Sequence, residues 1–107
     1  MDQEQNVNPT EGLKVEPVWS VYLIRTASNQ LYCGVTTDVQ RRFKEHQGTM
    51  KGAKYLRGKG PLTIAWSSEV ASKRIAMQLE YRIKRLSKKQ KEQIVNGELP
   101  VLTLLES

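Results

Sequence analysis

A tyrosine, an arginine and the chain's only histidine lie close together in the stretch LYCGVTTDVQRRFKEH, residues 31–46. Arg42 and His46 are four residues apart, so on a helix they share one flank. Such a flank could place an arginine that grips a phosphate through two hydrogen bonds beside a group that donates a proton. The simpler alternative is a solvated arginine with a partly packed histidine, and the spacing leaves both open.

Two tyrosines, Tyr22 and Tyr32, lie ten residues apart on segments that are typical of paired strands. Tyrosine favours strands and often half-buries its ring, so each residue taken alone is first expected to be structural. Gly34 weakens the second strand and therefore suggests a bulge or a close approach by another group. We expect Gly34 to leave room at the turn between this strand and the following helix.

Glu80 is the single acidic residue in a segment, 72–91, that carries eight basic residues. It could form an ordinary pair with Lys84 four residues later, worth about 0.2–0.5 kcal/mol. A lone carboxylate among cations also suits one hydrated Mg²⁺, which commonly uses one or two carboxylates and completes its shell with water and substrate phosphate. This residue alone does not separate the two interpretations.

The elements that must position these residues follow from local patterns. The β-branched and aromatic segment 18–26 and the segment 31–36 predict a hairpin across the turn ASNQ, and 62–69 predicts a third strand. A first helix is predicted over 38–47, with Val39 and Phe43 as its buried stripe. Ser72 and Ser87 are caps for two further helices, the last of which ends near Gly97. The order is β-β-α-β-α-α, an α+β domain with a small three-stranded antiparallel or mixed sheet flanked by helices.

Length and composition limit the architecture to one domain. The 107 residues suit a single domain, predicted over 17–107, after a flexible acidic tail at 1–16. No stretch approaches the roughly 20 apolar residues of a membrane span, and the polar N-terminus does not resemble a signal or transit peptide. One cysteine, Cys33, excludes an internal disulfide and a cysteine-rich metal site. The simplest predicted location is therefore the reducing cytoplasm.

Positive charge is concentrated in two segments. Residues 38–60 carry a net charge of +5 and residues 72–91 carry +7, whereas residues 1–16 carry −3. This pattern favours binding of a polyanion, although a basic soluble surface would look the same. The basic residues that we expect to contact nucleic acid are Arg41, Lys51, Lys54, Arg57, Lys59, Lys84, Arg85 and Lys88.

Taken together, these residues resemble the GIY-YIG nuclease family. The first triplet of that family is assigned to Val21-Tyr22-Leu23 and the second to Tyr32-Cys33-Gly34. TTDVQRRFKEH is similar to the next motif, with Arg42 at the arginine position, and IAMQLEYRIK is similar to the metal-binding helix, with its glutamate at Glu80. The resemblance covers residues 17–96, and the basic loop KGAKYLRGKG resembles small bacterial single-domain members.

The resemblance implies the β-β-α-β-α-α fold and metal-dependent hydrolysis of a phosphodiester with Mg²⁺ or Mn²⁺. Tyr22 would be the general base, helped by Tyr32, while Glu80 would hold the metal. Arg42 would stabilise charge on the phosphate, and His46 would orient or donate near it. A free tyrosine has a pKa near 10, so nearby cations and metal-bound water would have to favour its phenolate form.

Three functions remain open from the sequence. The first is a DNA nuclease with a role in DNA repair. It would be directed by structure or damage rather than by sequence, because backbone contacts by basic residues do not distinguish sequences. The second is a nucleic-acid-binding module without turnover, and the third is a subunit of a repair complex whose partner supplies specificity. RNA is left open as a substrate, no membrane partner is indicated, and the sequence does not indicate the oligomeric state.

Overall fold

The computed structural model describes residues 17–48 and 52–106. In this part of the chain, the strands are β1 (Trp19–Arg25), β2 (Leu31–Thr36) and β3 (Thr63–Val70). The α-helices are α1 (Val39–Gly48), α2 (Lys73–Lys84) and α3 (Lys88–Val95), and short 3-10 helices span Lys54–Leu56 and Val101–Leu105. The predicted α+β class and the order β-β-α-β-α-α are confirmed, and every strand pair in the sheet is antiparallel.

The central strand of the sheet is β1, because the spatial order is β2-β1-β3. The β1–β2 hairpin closes through a turn in which Asn29 adopts a left-handed φ of 68°, a conformation that asparagine tolerates better than most residues. Its register sets Tyr22 directly opposite Gly34 and Ile24 opposite Tyr32. Alternation along β1 therefore sends Tyr22 and Ile24 to one face of the sheet and its other apolar residues to the opposite face.

The face of the sheet to which Val21 and Leu23 point, here called the first face, carries the larger apolar core. Val21 and Leu23 from β1 pack there with Leu79 and Ile83 of α2, and all four side chains are fully buried. Burial of each such side chain contributes about 1.5–3 kcal/mol relative to exposure. This core fixes α2 against the sheet, and with it the position of Glu80.

The opposite face, to which Tyr22 and Ile24 point and which we call the second face, is covered by α1 and by the segment that follows it. Tyr22 and Ile24 meet the buried Leu56 and Leu62 there, with Phe43 of α1 at the margin. The prediction of a buried stripe on α1 was wrong in detail, because Val39 and Phe43 are only half-buried whereas His46 is buried. The last turn of α1 is the part that residues 52–62 cover, so burial falls on the histidine.

The predicted caps are present at both later helices. The Ser72 hydroxyl accepts from the Ile75 amide at 3.2 Å, and Ser87 forms a reciprocal capping box with Gln90. Gly97 follows α3 with a φ of +80°, a conformation that favours glycine. Side-chain caps contribute about 1 kcal/mol each, so these local signals place α2 and α3 firmly along the chain.

Of the predictions about the wider chain, one concerns residues outside the described part and another concerns membrane-spanning helices. The acidic tail predicted at 1–16, together with Lys51, lies outside the described residues. Of the helices in 17–48 and 52–106, none has the length and apolarity that crossing a membrane requires.

Candidate active site

The hydroxyl of Tyr22 and the ring of His46 form a buried hydrogen bond between the sheet and α1. Tyr22 Oη lies 2.8 Å from His46 Nε2, and the two side chains are 3% and 6% exposed. Tyr22 comes from the central strand and His46 from the last turn of α1, 24 residues later. The structure therefore brings together two of the five residues proposed to be catalytic from the sequence.

The backbone defines which nitrogen of His46 carries the proton. The Ala53 amide donates to His46 Nδ1 at 3.0 Å, so Nδ1 must be an acceptor. A neutral imidazole then carries its hydrogen on Nε2 and donates it to Tyr22 Oη. Burial, and to a lesser degree the nearby Arg42, lower the pKa of His46 below its ordinary value, so the ring is neutral at pH 7. His46 is thus a donor to Tyr22 and not an acceptor for its proton.

Arg42 lies beside the same hydroxyl. Its guanidinium holds the Glu45 carboxylate at 2.7 Å, its side chain is 30% exposed, and its positive charge lowers the pKa of the nearby Tyr22. The bond to Glu45 is the main reason that the pKa of Arg42 is raised further. Arg42 is therefore a permanent cation at the edge of the site, in contact with Tyr22 and reachable from solvent.

The environment of Tyr22 keeps it protonated. Burial, and secondly the neighbouring Tyr32, raise its pKa to about 12, although Arg42 partly opposes the shift. The Arg42 cation favours the phenolate, yet the loss of hydration outweighs it. Cations were expected to have to favour the phenolate. Arg42 does lower the pKa of Tyr22, but burial and Tyr32 together raise it by more.

Tyr32 joins the site through its ring. It meets His46 edge-on, with centroids 5.7 Å apart, and stacks on Tyr55 at 5.6 Å with the planes 18° from parallel. We call Tyr22, Tyr32, His46 and Tyr55 the aromatic cluster. Sequence reasoning missed Tyr55, although a tyrosine among the bases of KGAKYLRGKG is an available signal, because aromatic rings interleaved with cations are typical of nucleic-acid-binding surfaces.

Gly34 allows the Tyr22 ring to cross the sheet. A Cβ atom at Gly34 would collide with the Oη and Cζ atoms of Tyr22, so only glycine fits. The predicted close approach is confirmed, but the location at a turn was wrong. Gly34 lies inside β2, paired with Tyr22, because the ring lies across the backbone of the neighbouring strand.

Glu80 reaches the cluster through its ion pair. Its carboxylate lies 3.2 Å from Lys84 Nζ and its side chain is 19% exposed. The same ammonium lies 5.9 Å from the centroid of the Tyr32 ring. Glu80 also acts on Cys33 of β2, whose pKa rises to about 12 mainly through burial and secondly through this carboxylate. Glu80 therefore lies beside β2, and Lys84 links it to Tyr32 of the aromatic cluster.

The donor set permits a hydrated divalent ion. Across 17–48 and 52–106, no group of three or more His, Cys, Asp or Glu side chains could enclose a metal. A single, partly exposed carboxylate fits Mg²⁺ or Mn²⁺ only if water and a substrate phosphate supply the other ligands, which is the usual mode of Mg²⁺ in phosphoryl sites. Glu80 meets that requirement.

A cleft opens beside His46. Its volume is about 410 Å³, and its walls include His46, Leu56, Arg57 and Pro61. Tyr22, Arg42 and Glu80 do not line it. Three of the proposed catalytic residues, Tyr22, Tyr32 and His46, belong to the aromatic cluster, and the cleft shares only His46 with the proposed catalytic set.

The basic residues divide into two groups by their contacts. Lys59 Nζ lies 4.7 Å from the Tyr55 ring centroid and Lys84 borders Tyr32, so both flank the aromatic cluster. Arg85 instead covers the ring of Tyr81, and Lys88 binds Glu92 at 2.6 Å. The exposed Arg41, Lys54 and Arg57 lie on α1 and on the segment after it.

Known proteins match this arrangement over most of the chain. A family profile described as the GIY-YIG catalytic domain matches residues 18–93. The chain belongs to the GIY-YIG family. A UPF0213 protein of Klebsiella pneumoniae is 58% identical over 87 residues, which are 81% of each chain. UPF0213 protein YhbQ of Salmonella typhimurium is 54% identical over 83% of this chain and 88% of its own.

Solved GIY-YIG relatives of this size share the fold. The solution NMR structure of the UPF0213 protein BH0048 from Bacillus halodurans is 38% identical, covers 83% of this chain and 94% of its own, and has a TM-score of 0.50. The solution NMR structure of EF2693 from E. faecalis is 28% identical over 79% of this chain and 90% of its own, with a TM-score of 0.55. The predicted family is therefore confirmed.

The geometry explains the two triplets of the GIY-YIG name. Because the name ends its first triplet on tyrosine, that triplet falls on Ser20-Val21-Tyr22, one residue earlier than assigned from the sequence. The antiparallel register then pairs the tyrosine of the first triplet with Gly34 of the second. The glycine accommodates the tyrosine ring, so the triplets form one structural unit.

Proposed function

We propose that this GIY-YIG protein is a nuclease that hydrolyses phosphodiester bonds of DNA with a divalent metal ion. The observation that supports it is the buried Tyr22 hydroxyl, which the neutral His46 holds through a 2.8 Å hydrogen bond while the Arg42 cation lies close enough to lower the pKa of the phenol. A hydroxyl that serves only to pack a strand does not need a neutral histidine and an arginine beside it. A hydroxyl held in this way suits proton transfer next to a phosphate.

Each side chain has a role that follows from its contacts. Arg42 stays cationic and binds the phosphate oxygens, where it stabilises the charge that develops. His46 positions Tyr22 by donating to its oxygen, so the phenolic proton points away from that donor. For Tyr22 to act as general base, this proton first passes to solvent water, and the phenolate, still held by His46, then accepts the proton of the attacking water. Tyr32 supports the ring of His46 and borders Lys84.

The metal would bind at Glu80. A bound Mg²⁺ or Mn²⁺ supplies an acidified water and neutralises charge on the phosphate. Glu80 contributes the single carboxylate, and Lys84 would exchange its ion pair with Glu80 for a contact with the DNA backbone. Added positive charge also lowers the pKa of a nearby phenol, which is what Tyr22 requires.

The substrate would be recognised by shape and charge. The basic side chains flank the aromatic cluster and can bind backbone phosphates, which carry no sequence information directly. We propose preference for a DNA structure or a damaged site, with a role in DNA repair. A partner protein would add any longer-range specificity.

A cleavage panel tests this function. Labelled duplex, flap, junction and single-stranded DNA, with matching RNA, are incubated with Mg²⁺ or Mn²⁺ and then with EDTA. We expect metal-dependent cleavage that falls by at least about 100-fold in Glu80→Ala and Arg42→Ala, since a charge-stabilising group contributes about 10²–10³ in rate. Glu98→Ala, an exposed glutamate after α3, is the matched control and should cleave normally. Unimpaired cleavage by both site variants would show that the roles are wrong.

Two observations favour a second function, a nucleic-acid-binding module without turnover. Tyr22 has a pKa of about 12, and Glu80 is already paired with Lys84. Under this alternative, the panel would show salt-dependent binding and no cleavage with any divalent ion. A co-purifying partner that restores cleavage would identify a subunit of a repair complex instead.

A further inference from the structure

We propose that Tyr55 is a stacking site for one unpaired nucleobase, next to the proposed catalytic hydroxyl of Tyr22 and the phosphate-binding Arg42. The proposal deepens the proposed function, on which it rests, by naming the feature of the substrate that is recognised. It assigns Tyr55 to substrate binding and not to the chemical step.

The Tyr55 ring is exposed and supported from behind. Its side chain is 46% exposed, and its ring stacks on Tyr32. Tyr32 in turn contacts His46 edge-on, and His46 donates to Tyr22. A base on the outer side of Tyr55 is therefore two ring contacts away from the histidine that positions the proposed catalytic hydroxyl.

The ring is held rigidly before any ligand binds. The Tyr55 hydroxyl donates to Gln30 Oε1 at 2.9 Å, and the adjacent Leu56 is buried against the second face of the sheet. The Ala27 amide also donates to the Lys59 carbonyl at 2.9 Å, which ties the segment to the β1–β2 turn. Because the ring has little freedom to lose, a base can stack on it at a low ordering cost.

Two lysine ammonium groups border the stacked rings of Tyr55 and Tyr32. Lys59 Nζ lies 4.7 Å from the Tyr55 centroid, and Lys84 lies beside Tyr32. An exposed cation–π contact is weaker than the stacking of a base on a tyrosine, so a base displaces the Lys59 ammonium from the ring. The ammonium is then available to the neighbouring phosphate. Aromatic rings combined with cations along a backbone are typical of single-strand binding surfaces.

The ligand must be unpaired. The flat faces of a base in a duplex are covered by its stacked neighbours, so a protein ring reaches one only where the base is extruded or single-stranded. Single strands, flaps and bulges all present such a base. Tyr55 would thus select substrates by the presence of an unstacked base near the bond to be cut.

Binding to single-stranded DNA tests the site without turnover. Fluorescence anisotropy in EDTA measures the affinity for a labelled strand and for strands that carry one abasic position, placed at each position in turn. We expect one abasic position to weaken wild-type binding by about 5-fold or more, the effect of losing one base–aromatic stack. Tyr55→Ala should weaken binding to the intact strand equally and abolish the abasic effect.

Three variants serve as matched controls. Tyr55→Phe loses the bond to Gln30 but keeps the ring and should bind nearly as wild type does. Tyr81→Ala removes an exposed tyrosine that covers Arg85 on α2 and should leave binding unchanged. Lys59→Gln should weaken binding mainly at low salt and keep the abasic effect. Thermal unfolding confirms that each variant is folded.

Two results would overturn the proposal. One is an abasic effect of the same size in Tyr55→Ala as in the wild type, and the other is an equal loss of affinity by Tyr55→Ala for blunt duplex. Failure of the nuclease function is separate: absence of cleavage with an intact abasic effect would disprove turnover and keep the stacking site. Glu80-dependent cleavage without any abasic effect would do the reverse.

Discussion

At the scale of single residues, one hydroxyl collects contacts from three parts of the chain. Tyr22 on β1 needs Gly34 on β2 for space, His46 on α1 as a donor with the Arg42 cation nearby, and Ala53 to fix the histidine tautomer. Each contact constrains the next, because the Ala53 amide determines that His46 donates rather than accepts. The position of the Tyr22 oxygen is therefore built in before substrate arrives.

The substitution Gly34→Ala should displace the Tyr22 ring. The new methyl group would overlap the phenol, and overpacking of this kind costs about 1–3 kcal/mol. We expect a drop of that size in the free energy of unfolding, measured by urea denaturation. Cleavage should fall further than stability explains, since Tyr22 can no longer meet His46.

The control for this prediction is Gly48→Ala at the end of α1. A Cβ atom there meets nothing within 4 Å, and alanine is the better helix former, so stability should stay equal or rise slightly. Equal stability of Gly34→Ala and the wild type would show that the close approach of Tyr22 is not a constraint on the fold.

At the scale of elements, the helices and strands were predicted correctly because neighbouring residues determine where they begin and end. The β-branched strands, the Ser72 and Ser87 caps and Gly97 specify elements from neighbouring residues, and the structure has them within one or two positions. The burial of His46 and the stack of Tyr55 on Tyr32 depend on residues 52–62 folding back over the second face. No periodicity in the sequence encodes that contact, so the roles of both residues in the site were missed or left open.

The β1–β2 turn is joined to α3 by a charged clamp. Arg25 holds both carboxylate oxygens of Glu92, at 2.6 and 3.0 Å, and also donates to Asn29, while Lys88 binds the same carboxylate. Hydrogen bonds from Arg25 and then Lys88 lower the pKa of Glu92 to about 2. The clamp fixes the hairpin that carries Gln30 and hence the ring of Tyr55.

This clamp predicts a pH-dependent stability difference between the wild type and Glu92→Gln. A depressed pKa contributes stability that is fully present above the ordinary value of 4.5 and disappears as pH falls toward about 2. We expect the variant to be less stable by about 0.2–1 kcal/mol at pH 7, the range for partly exposed ion pairs. The difference should shrink between pH 4.5 and pH 2.

Thermal unfolding across that pH range measures the difference. Glu98→Gln, an exposed glutamate two residues after α3 is capped, is the control and should follow the wild type at every pH. A Glu92→Gln difference that stays constant down to pH 2 would mean that the carboxylate charge contributes nothing to the clamp.

At the scale of the whole molecule, the fold determines which of the basic side chains are available to bind nucleic acid. The sequence groups Lys88 with the residues expected to contact nucleic acid, but the structure pairs its ammonium with Glu92 at 2.6 Å. Lys59 and Lys84 instead flank the aromatic cluster, and the exposed Lys54 and Arg57 lie on the segment that carries Tyr55. Several of the basic residues expected to contact nucleic acid therefore lie beside the aromatic cluster, whereas the charge of Lys88 is already matched by Glu92.

Salt dependence of DNA binding should reveal this concentration. Each phosphate neutralised on a single strand contributes about −0.7 to the slope of log affinity against log salt concentration. Lys54→Gln and Arg57→Gln should each reduce the slope by about that amount, because their side chains would release one counterion each. Lys88→Gln should leave the slope unchanged, since Glu92 already neutralises that ammonium and the clamp through Arg25 remains. Anisotropy titrations from low to high salt give the three slopes, and an equal reduction in Lys88→Gln would place the bound strand across α3, away from the aromatic cluster.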